Sequence, residues 1–199
     1  MLRLGILGST NGTDMQAIID AIGQGKLNAK IKLVISNKQE AYILKRAQKN
    51  NILNKYISDK NLDRHKFGSL ITKNFTELNV DIILLIGFMK ILSDSFCLKW
   101  KDKILNVHPS LLPKYAGGMN NGVHEQVLKN KEDETGCTIH YVTEEVDSGP
   151  ILIQKKCSVL SNDSVETLKK RVQQLEGEAF IEALNFIEKK NHALSLIHI

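Results

Sequence analysis

The sequence predicts an α/β fold, a doubly wound, mostly parallel sheet with helices on both faces. Three observations predict it. From Leu2 to Val107, short apolar runs alternate with segments of helical periodicity in the order β-α-β-α-β-α-β-α-β. One run, Asp81 to Phe88, is apolar almost throughout, as a strand buried on both faces of a parallel sheet should be. Of the 199 residues 42% are hydrophobic and 25% charged, a globular balance that excludes disordered, collagenous and fibrous chains.

The elements follow in order. Leu2 to Leu7 is the first strand and ends at Gly8. Met15, Ile18, Ile19 and Ile22 recur at helical spacing up to Gly23 and Gly25. Ile31 to Ile35, rich in β-branched residues, is the next strand, and Ala41 to Lys49 the next helix. Ile52 to Ile57 reads as a strand. Asp63 to Leu78 carries Phe67, Leu70, Ile71 and Phe75 at helical spacing. After the strand Asp81 to Phe88 come a short helix, Ser93 to Trp100, and a short strand, Ile104 to Val107. The pattern changes after Pro113. A Gly/Asn-rich loop, Ala116 to Gly122, leads into a helix from Val123 to Lys129. Cys137 to Thr143 and Ile151 to Val159 form two strands around the turn Glu144 to Pro150. Asp163 or Ser164 caps a long helix, Val165 to Lys189, interrupted only by Gly177. The apolar tail, residues 193–199, reads as a last edge strand or a disordered end. With no repeat or linker, residues 1–199 read as one domain.

Charge and composition narrow the function classes. Lys+Arg is 27 against 22 Asp+Glu, a net +5, spread along the chain without the dense basic stripe of a nucleic-acid footprint. A small anionic ligand suits this mild positive field. Three cysteines without a CxxC read as reduced thiols in a cytoplasmic protein. Six histidines without H-x-x-H or H-E-x-x-H spacing give no reason to expect a metal. The longest apolar run, Ile82 to Met89, falls far short of the roughly 20 residues a membrane span needs. The N-terminus shows no signal-peptide layout.

Ligands of open α/β sheets gather beyond the carboxyl ends of the strands, and four turns lie there. Gly8-Ser9-Thr10-Asn11-Gly12-Thr13-Asp14 exposes backbone N–H groups at a helix start. It is either a phosphate cradle or a plain strand-to-helix turn, and it matches neither the dinucleotide fingerprint nor a P-loop. Gly87-Phe88-Met89-Lys90 is an ordinary strand-end turn or the wall of an apolar slot. Asn106 and His108 stand two apart at a strand end, hence on one side of the chain, ahead of a loop fixed by Pro109 and Pro113. A carboxamide beside an imidazole can polarise a carbonyl and move a proton near neutral pH, although a chance pairing is an equal rival. In Thr143-Glu144-Glu145-Val146-Asp147-Ser148-Gly149-Pro150, Asp147 precedes a Gly/Pro turn. That acidic run is solvated surface, or it places a carboxylate near the imidazole.

Together, Asn106-x-His108-Pro-Ser-Leu-Leu-Pro113 and Val146-Asp147-Ser-Gly-Pro150 resemble the folate-dependent formyltransferase family, over roughly Leu2 to Ala183. The opening turn, Gln16-Ala-Ile-Ile-Asp20, Ser36-Asn37 and Gly87-Phe-Met-Lys-Ile-Leu92 narrow the resemblance to the branch that works in purine biosynthesis. The resemblance implies that the formyl group of 10-formyltetrahydrofolate, a cosubstrate, passes to the amine of glycinamide ribonucleotide (GAR), giving formyl-GAR and tetrahydrofolate without a metal. It implies Asn106, His108 and Asp147 as the catalytic trio. Asn11, Gly12, Thr13 and Asp14 match the turn that cradles the GAR phosphate, and Glu176 the carboxylate that holds its amine end. Arg64, Met89, Lys90, Ile91, Leu92, Asn106, Thr143, Glu144, Glu145, Val146 and Asp147 match the folate slot, with Arg64 facing the glutamate tail. The implied partners are these two small molecules, with neither nucleic acid nor membrane, for a monomer or homodimer.

The sequence departs from the family at several positions. Asp14 stands where many members have Asn, so it is expected to point away from the phosphate and cap the helix, leaving contact to the backbone of Gly12 and Thr13. Ala116 replaces a frequent Pro, the loop Gly117 to Gly122 is longer, and Lys90 replaces a frequent Arg. His124 falls at the family's histidine after that loop, and His140 reads as a supporting or core residue. His65, His192 and His198 read as surface. The rivals to this reading are a formyl-folate hydrolase and a non-catalytic phosphate-binding module.

Overall fold

The computed structural model describes residues 1–118 and 121–197. The chain runs β1 (Leu2–Leu7), α1 (Thr13–Gly23), β2 (Ala29–Ser36), α2 (Tyr42–Lys49), β3 (Asn54–Tyr56), α3 (Arg64–Glu77), β4 (Ile82–Leu85), α4 (Asp94–Lys99) and β5 (Ile104–His108). Then come α5 (Asn121–Lys129), β6 (Glu134–Tyr141), β7 (Ile151–Ser158) and α6 (Val165–Ile197). One seven-stranded sheet results, in the order β3-β2-β1-β4-β5-β6-β7. The strands β1 to β5 pair in parallel, and β6 pairs antiparallel with both β5 and β7. The chain winds outward through β2 and β3, then returns to the other side of β1 with β4. This reversal opens a crevice beyond the carboxyl ends of β1 and β4.

Alternation along the strands fills two core layers. Leu4, Ile6, Val34 and Leu84 meet Met15 and Ile18 of α1 and Val172 and Phe180 of α6. On the other face Leu7, Leu33, Ile83 and Leu85 meet Phe67, Ile71 and Phe75 of α3 and Phe96 of α4. Each fully buried side chain of this size contributes about 1.5–3 kcal/mol. Side-chain caps fix the helix starts. Asp63 accepts the Lys66 N–H at 2.8 Å, and Ser93 the Phe96 N–H at 3.3 Å. Of the two residues expected to cap α6, Ser164 does so, accepting the Thr167 N–H at 3.2 Å. Asp163 instead pairs with Arg171 at 2.6 Å.

Four elements differ from expectation. The strand expected over Cys137 to Thr143 lies earlier, over Glu134–Tyr141. The apolar run before Phe88 is paired only over Ile82–Leu85, because the chain turns at Gly87, whose φ is 56°. The strand expected over Ile52 to Ile57 is reduced to Asn54–Tyr56. The tail is no edge strand: α6 continues to Ile197, since no Gly or Pro follows Lys189 to stop it. His198 and Ile199 lie outside the described residues. Gly177 does not weaken α6 without return. A Cβ there would stand 2.7 Å from the Ala17 Cβ, so the missing methyl lets α6 close on α1. Among the described residues no helix is long and apolar enough to cross a membrane.

Candidate active site

A cleft of about 1180 Å³ opens at the β1/β4 crevice. Its walls are the turns after β1 and β4, the end of β5, the segment after β6 and one face of α6. All the residues expected to bind or react line it except Arg64, which is exposed at the start of α3 and lies outside the lining.

At one end stands the Asn106–His108–Asp147 group. Asn106 and His108 belong to β5, and Asn106 pairs across the ladder with His140 of β6. The loop that follows is pinned from β6 and β7. The Thr138 hydroxyl donates to the Ser110 carbonyl at 2.7 Å, and the Gln154 amide to the Leu112 carbonyl at 2.9 Å. His108 is 3% exposed. Its Nδ1 lies 3.1 Å from Asp147 Oδ2, and its Nε2 lies 2.9 Å from the Tyr115 carbonyl oxygen. With an acceptor at each nitrogen, only the doubly protonated imidazolium fills both contacts. Asp147 sits in the left-handed region, φ 54°, and also accepts the Gly117 N–H at 2.9 Å. Burial pushes its carboxyl up. Hydrogen bonds from His108, His140 and Gly117, with the charge of His108, overcome this and hold it well below the usual carboxylate range.

His140, 2% exposed, supports both partners. Its Nδ1 donates to the Tyr141 carbonyl at 3.0 Å. Its Nε2 lies 3.1 Å from Asn106 Nδ2 and 3.4 Å from Asp147 Oδ1. The neutral ring accepts from the Asn106 amide, which orients the second amide N–H; the protonated ring donates to Asp147.

At the other end α1 begins at Gly12, whose φ of 67° places it in the left-handed region. A Cβ there would meet Ile43 Cγ1 at 2.5 Å, so conformation and space both require glycine. No side chain caps α1, so the first-turn N–H groups stay available to a ligand. The Arg46 guanidinium donates to the Asn11 carbonyl at 3.1 Å, adding positive charge beside the turn. The expected capping by Asp14 does not occur. Asp14 is the second residue of α1, past the cap position, and its side chain turns into the protein. It is 6% exposed, and its Oδ1 is buried with no hydrogen-bond partner among the described residues. Burial pushes its pKa up to about 7.

Glu176 of α6 is 8% exposed, not a solvated helix residue. Burial and the Asp14 charge push its carboxyl well up, against the opposing pull of Lys169. Lys169 and Gln173 also line the cleft and were not singled out in the sequence. Their spacing to Glu176 places all three on one face of α6, a signal the sequence carries. His124 of α5 lines the cleft too, and burial with Lys169 pushes its pKa down to about 4. On the remaining wall, Met89 through Leu92 follow β4. Lys90 is held by Asp59 at 2.6 Å, and the Met89 N–H donates to Ser9 Oγ at 3.2 Å.

Comparison with known proteins shows what the chain is similar to. Residues 2–184 match the family model described as formyl transferase. Phosphoribosylglycinamide formyltransferase of Haemophilus influenzae is 40% identical over 90% of this chain and 84% of its own length. The human trifunctional purine biosynthetic protein adenosine-3 is 40% identical over 93% of this chain, which spans only 18% of that protein. The solved phosphoribosylglycinamide formyltransferase of Coxiella burnetii superposes with a TM-score of 0.86 at 41% identity, covering 92% of this chain and 85% of the other.

Proposed function

Because the chain belongs to the formyl transferase family, we propose that it transfers the formyl group of 10-formyltetrahydrofolate to the amine of GAR in purine biosynthesis, yielding formyl-GAR and tetrahydrofolate. The observation that carries the reading is the buried His108–Asp147 pair, 3.1 Å apart, with Asn106 beside it on the same strand.

The GAR amine attacks the formyl carbon, and a tetrahedral oxyanion forms. The Asn106 amide and the His108 imidazolium donate to that oxygen, which strengthens most where charge develops. His108 makes this contact through Nε2–H, so substrate oxygen takes the place now held by the Tyr115 carbonyl. Asp147 keeps the ring charged and oriented, and a proton reaches the leaving N10 of the folate through this pair. The uncapped N–H groups of Thr13 and Asp14, with Gly12, suit the GAR phosphate. Glu176 holds the amine end. The pterin suits the slot along Met89 to Leu92 and Thr143 to Asp147. The chemistry assigned to these residues needs no metal. A cytoplasmic setting fits the free cysteines Cys97, Cys137 and Cys157.

The test is formyl transfer from 10-formyltetrahydrofolate to GAR by wild type and His108→Ala, with a control lacking GAR. Turnover that requires GAR and falls roughly 10²–10³-fold or more in the variant is expected. Folate turnover without GAR would mean a hydrolase, and turnover unaffected by His108→Ala would remove the histidine from the chemistry.

A further inference from the structure

His124 has no part in the mechanism above, yet it is placed like a binding residue. It is 2% exposed, lines the cleft, and its Nδ1 is buried with no hydrogen-bond partner among the described residues. A buried ring nitrogen without a partner carries an uncompensated desolvation cost, which a ligand that bonds to it removes.

Its place in the fold says which part of a ligand it meets. Towards the formyl-transfer end runs the loop after His108. The Tyr115 carbonyl lies against His108 Nε2, and the Gly117 N–H donates to Asp147. Gly118 then packs on Val123, the residue before His124; a Cβ at Gly118 would stand 2.8 Å from Val123 Cγ2. Towards the phosphate turn stands α6. The Lys169 charge acts on both His124 and Glu176, and the same helix closes on α1 where Gly177 meets Ala17. His124 thus belongs to the wall between the two ends of the cleft.

We propose that His124 Nδ1 binds a hydroxyl of the sugar ring that joins the substrate's phosphate to its glycinamide arm. This rests on the GAR reading, in which the phosphate lies at the α1 turn and the amine reacts beside Asn106 and His108. Between those two groups GAR carries its ribose, with two hydroxyls. The chemistry of the ring selects such a partner. Burial and the Lys169 charge push the His124 pKa down to about 4, so the imidazole is neutral near pH 7. A neutral ring brings no charge to a phosphate, which only accepts hydrogen bonds, or to an ammonium, which only donates them. A hydroxyl donates and accepts, so it satisfies Nδ1 in either tautomer.

The test compares GAR with its two monodeoxyribose analogues, as kcat/KM at saturating folate cosubstrate, in wild type and His124→Leu. Wild type should prefer GAR over one analogue by about three- to tenfold, the range of one net hydrogen bond. His124→Leu should lose that preference, with kcat on GAR within about twofold of wild type, because the contact is the same in the ground and transition states. His124→Asn keeps a polar atom near the Nδ1 position and should restore part of the preference. A histidine that only supports the fold would lower activity on all three compounds alike and leave the preference in place, which would overturn the proposal. Nitrogen-15 NMR of the wild-type imidazole gives a reading without turnover. GAR alone should move the His124 Nδ1 resonance, and the analogue without the contacted hydroxyl should not. Equal shifts with all three, or no shift with any compound that binds, would overturn the contact while leaving the GAR reading in place. A protein that neither binds nor turns over GAR would overturn that reading and the sugar contact with it.

Discussion

The two ends of the cleft treat the same functional group in opposite ways. The Asp147 side chain is buried but receives donors from His108 and the Gly117 N–H, and its carboxyl is held well below the usual range. Asp14 is buried and its Oδ1 receives none, and its carboxyl rises to about 7. Burial pushes both upward; at Asp147 the donors and the His108 charge reverse the sign, and at Asp14 nothing opposes it. The carboxyl that donors surround stays ionised beside His108, and the one that lacks them holds a proton up to about neutral pH.

The sharpest way to break the contrast is Asp147→Asn. It keeps the shape but removes the charge opposite His108, and formyl transfer should fall about 10²–10³-fold. Turnover near the wild-type level would mean that the charge at this end is idle. Next in size is the stability of Asp14→Asn. A carboxyl whose folded pKa exceeds its unfolded value is without penalty below about pH 4, where both states are protonated. The penalty grows as pH rises and is complete above about 7. Asp14→Asn should therefore be more stable than wild type at pH 8, by at most about 4 kcal/mol, with the gain gone in acid. Denaturant melts at both pH values check this; equal differences at the two would contradict it. The depressed Asp147 works the other way, adding stability above its unfolded value that is lost as pH falls toward its folded one.

Smaller again is His140→Ala. Loss of one hydrogen bond that orients Asn106 should lower kcat about five- to tenfold with little change in KM. A change confined to KM would place His140 in binding instead. Smallest is Lys90→Ala. Its ion pair with Asp59 is half exposed and is worth less than about 1 kcal/mol. If the folate contact runs through the backbone, KM for the folate should move less than about threefold.

Much of this was legible in the sequence because it is local. Helical spacing gave α1 through α4 and the start of α6, and period-two spacing put Asn106 and His108 on one side of a strand. What was not legible depends on non-local packing. Nothing near Asp147 in the sequence says that the segment after β6 returns it to His108. The inward turn of Asp14 was misread as a cap because its surroundings come from α6, over a hundred residues away. Arg64, an exposed residue on a helix start, carried no local sign of whether it would reach the cleft. Lys169 and Gln173 were missed although their spacing to Glu176 was visible, since an amphipathic helix does not reveal which neighbour its polar face meets.

The short connection between β6 and β7 bears on how this chain tolerates changes in length. The two strands pair from Glu134↔Ser158 to His140↔Ile151, with one shift of register between Ile139 and His140, so the residues between them are tethered at both ends. Asp147 lies inside that span. Inserting one residue there would rotate the carboxylate away from the imidazole while leaving the ladder intact, a folded protein that is chemically silent. The same insertion in the exposed turn after α2 would displace nothing that faces the cleft. Scanning single-residue insertions along the chain should therefore divide its turns into those that only connect and those that measure.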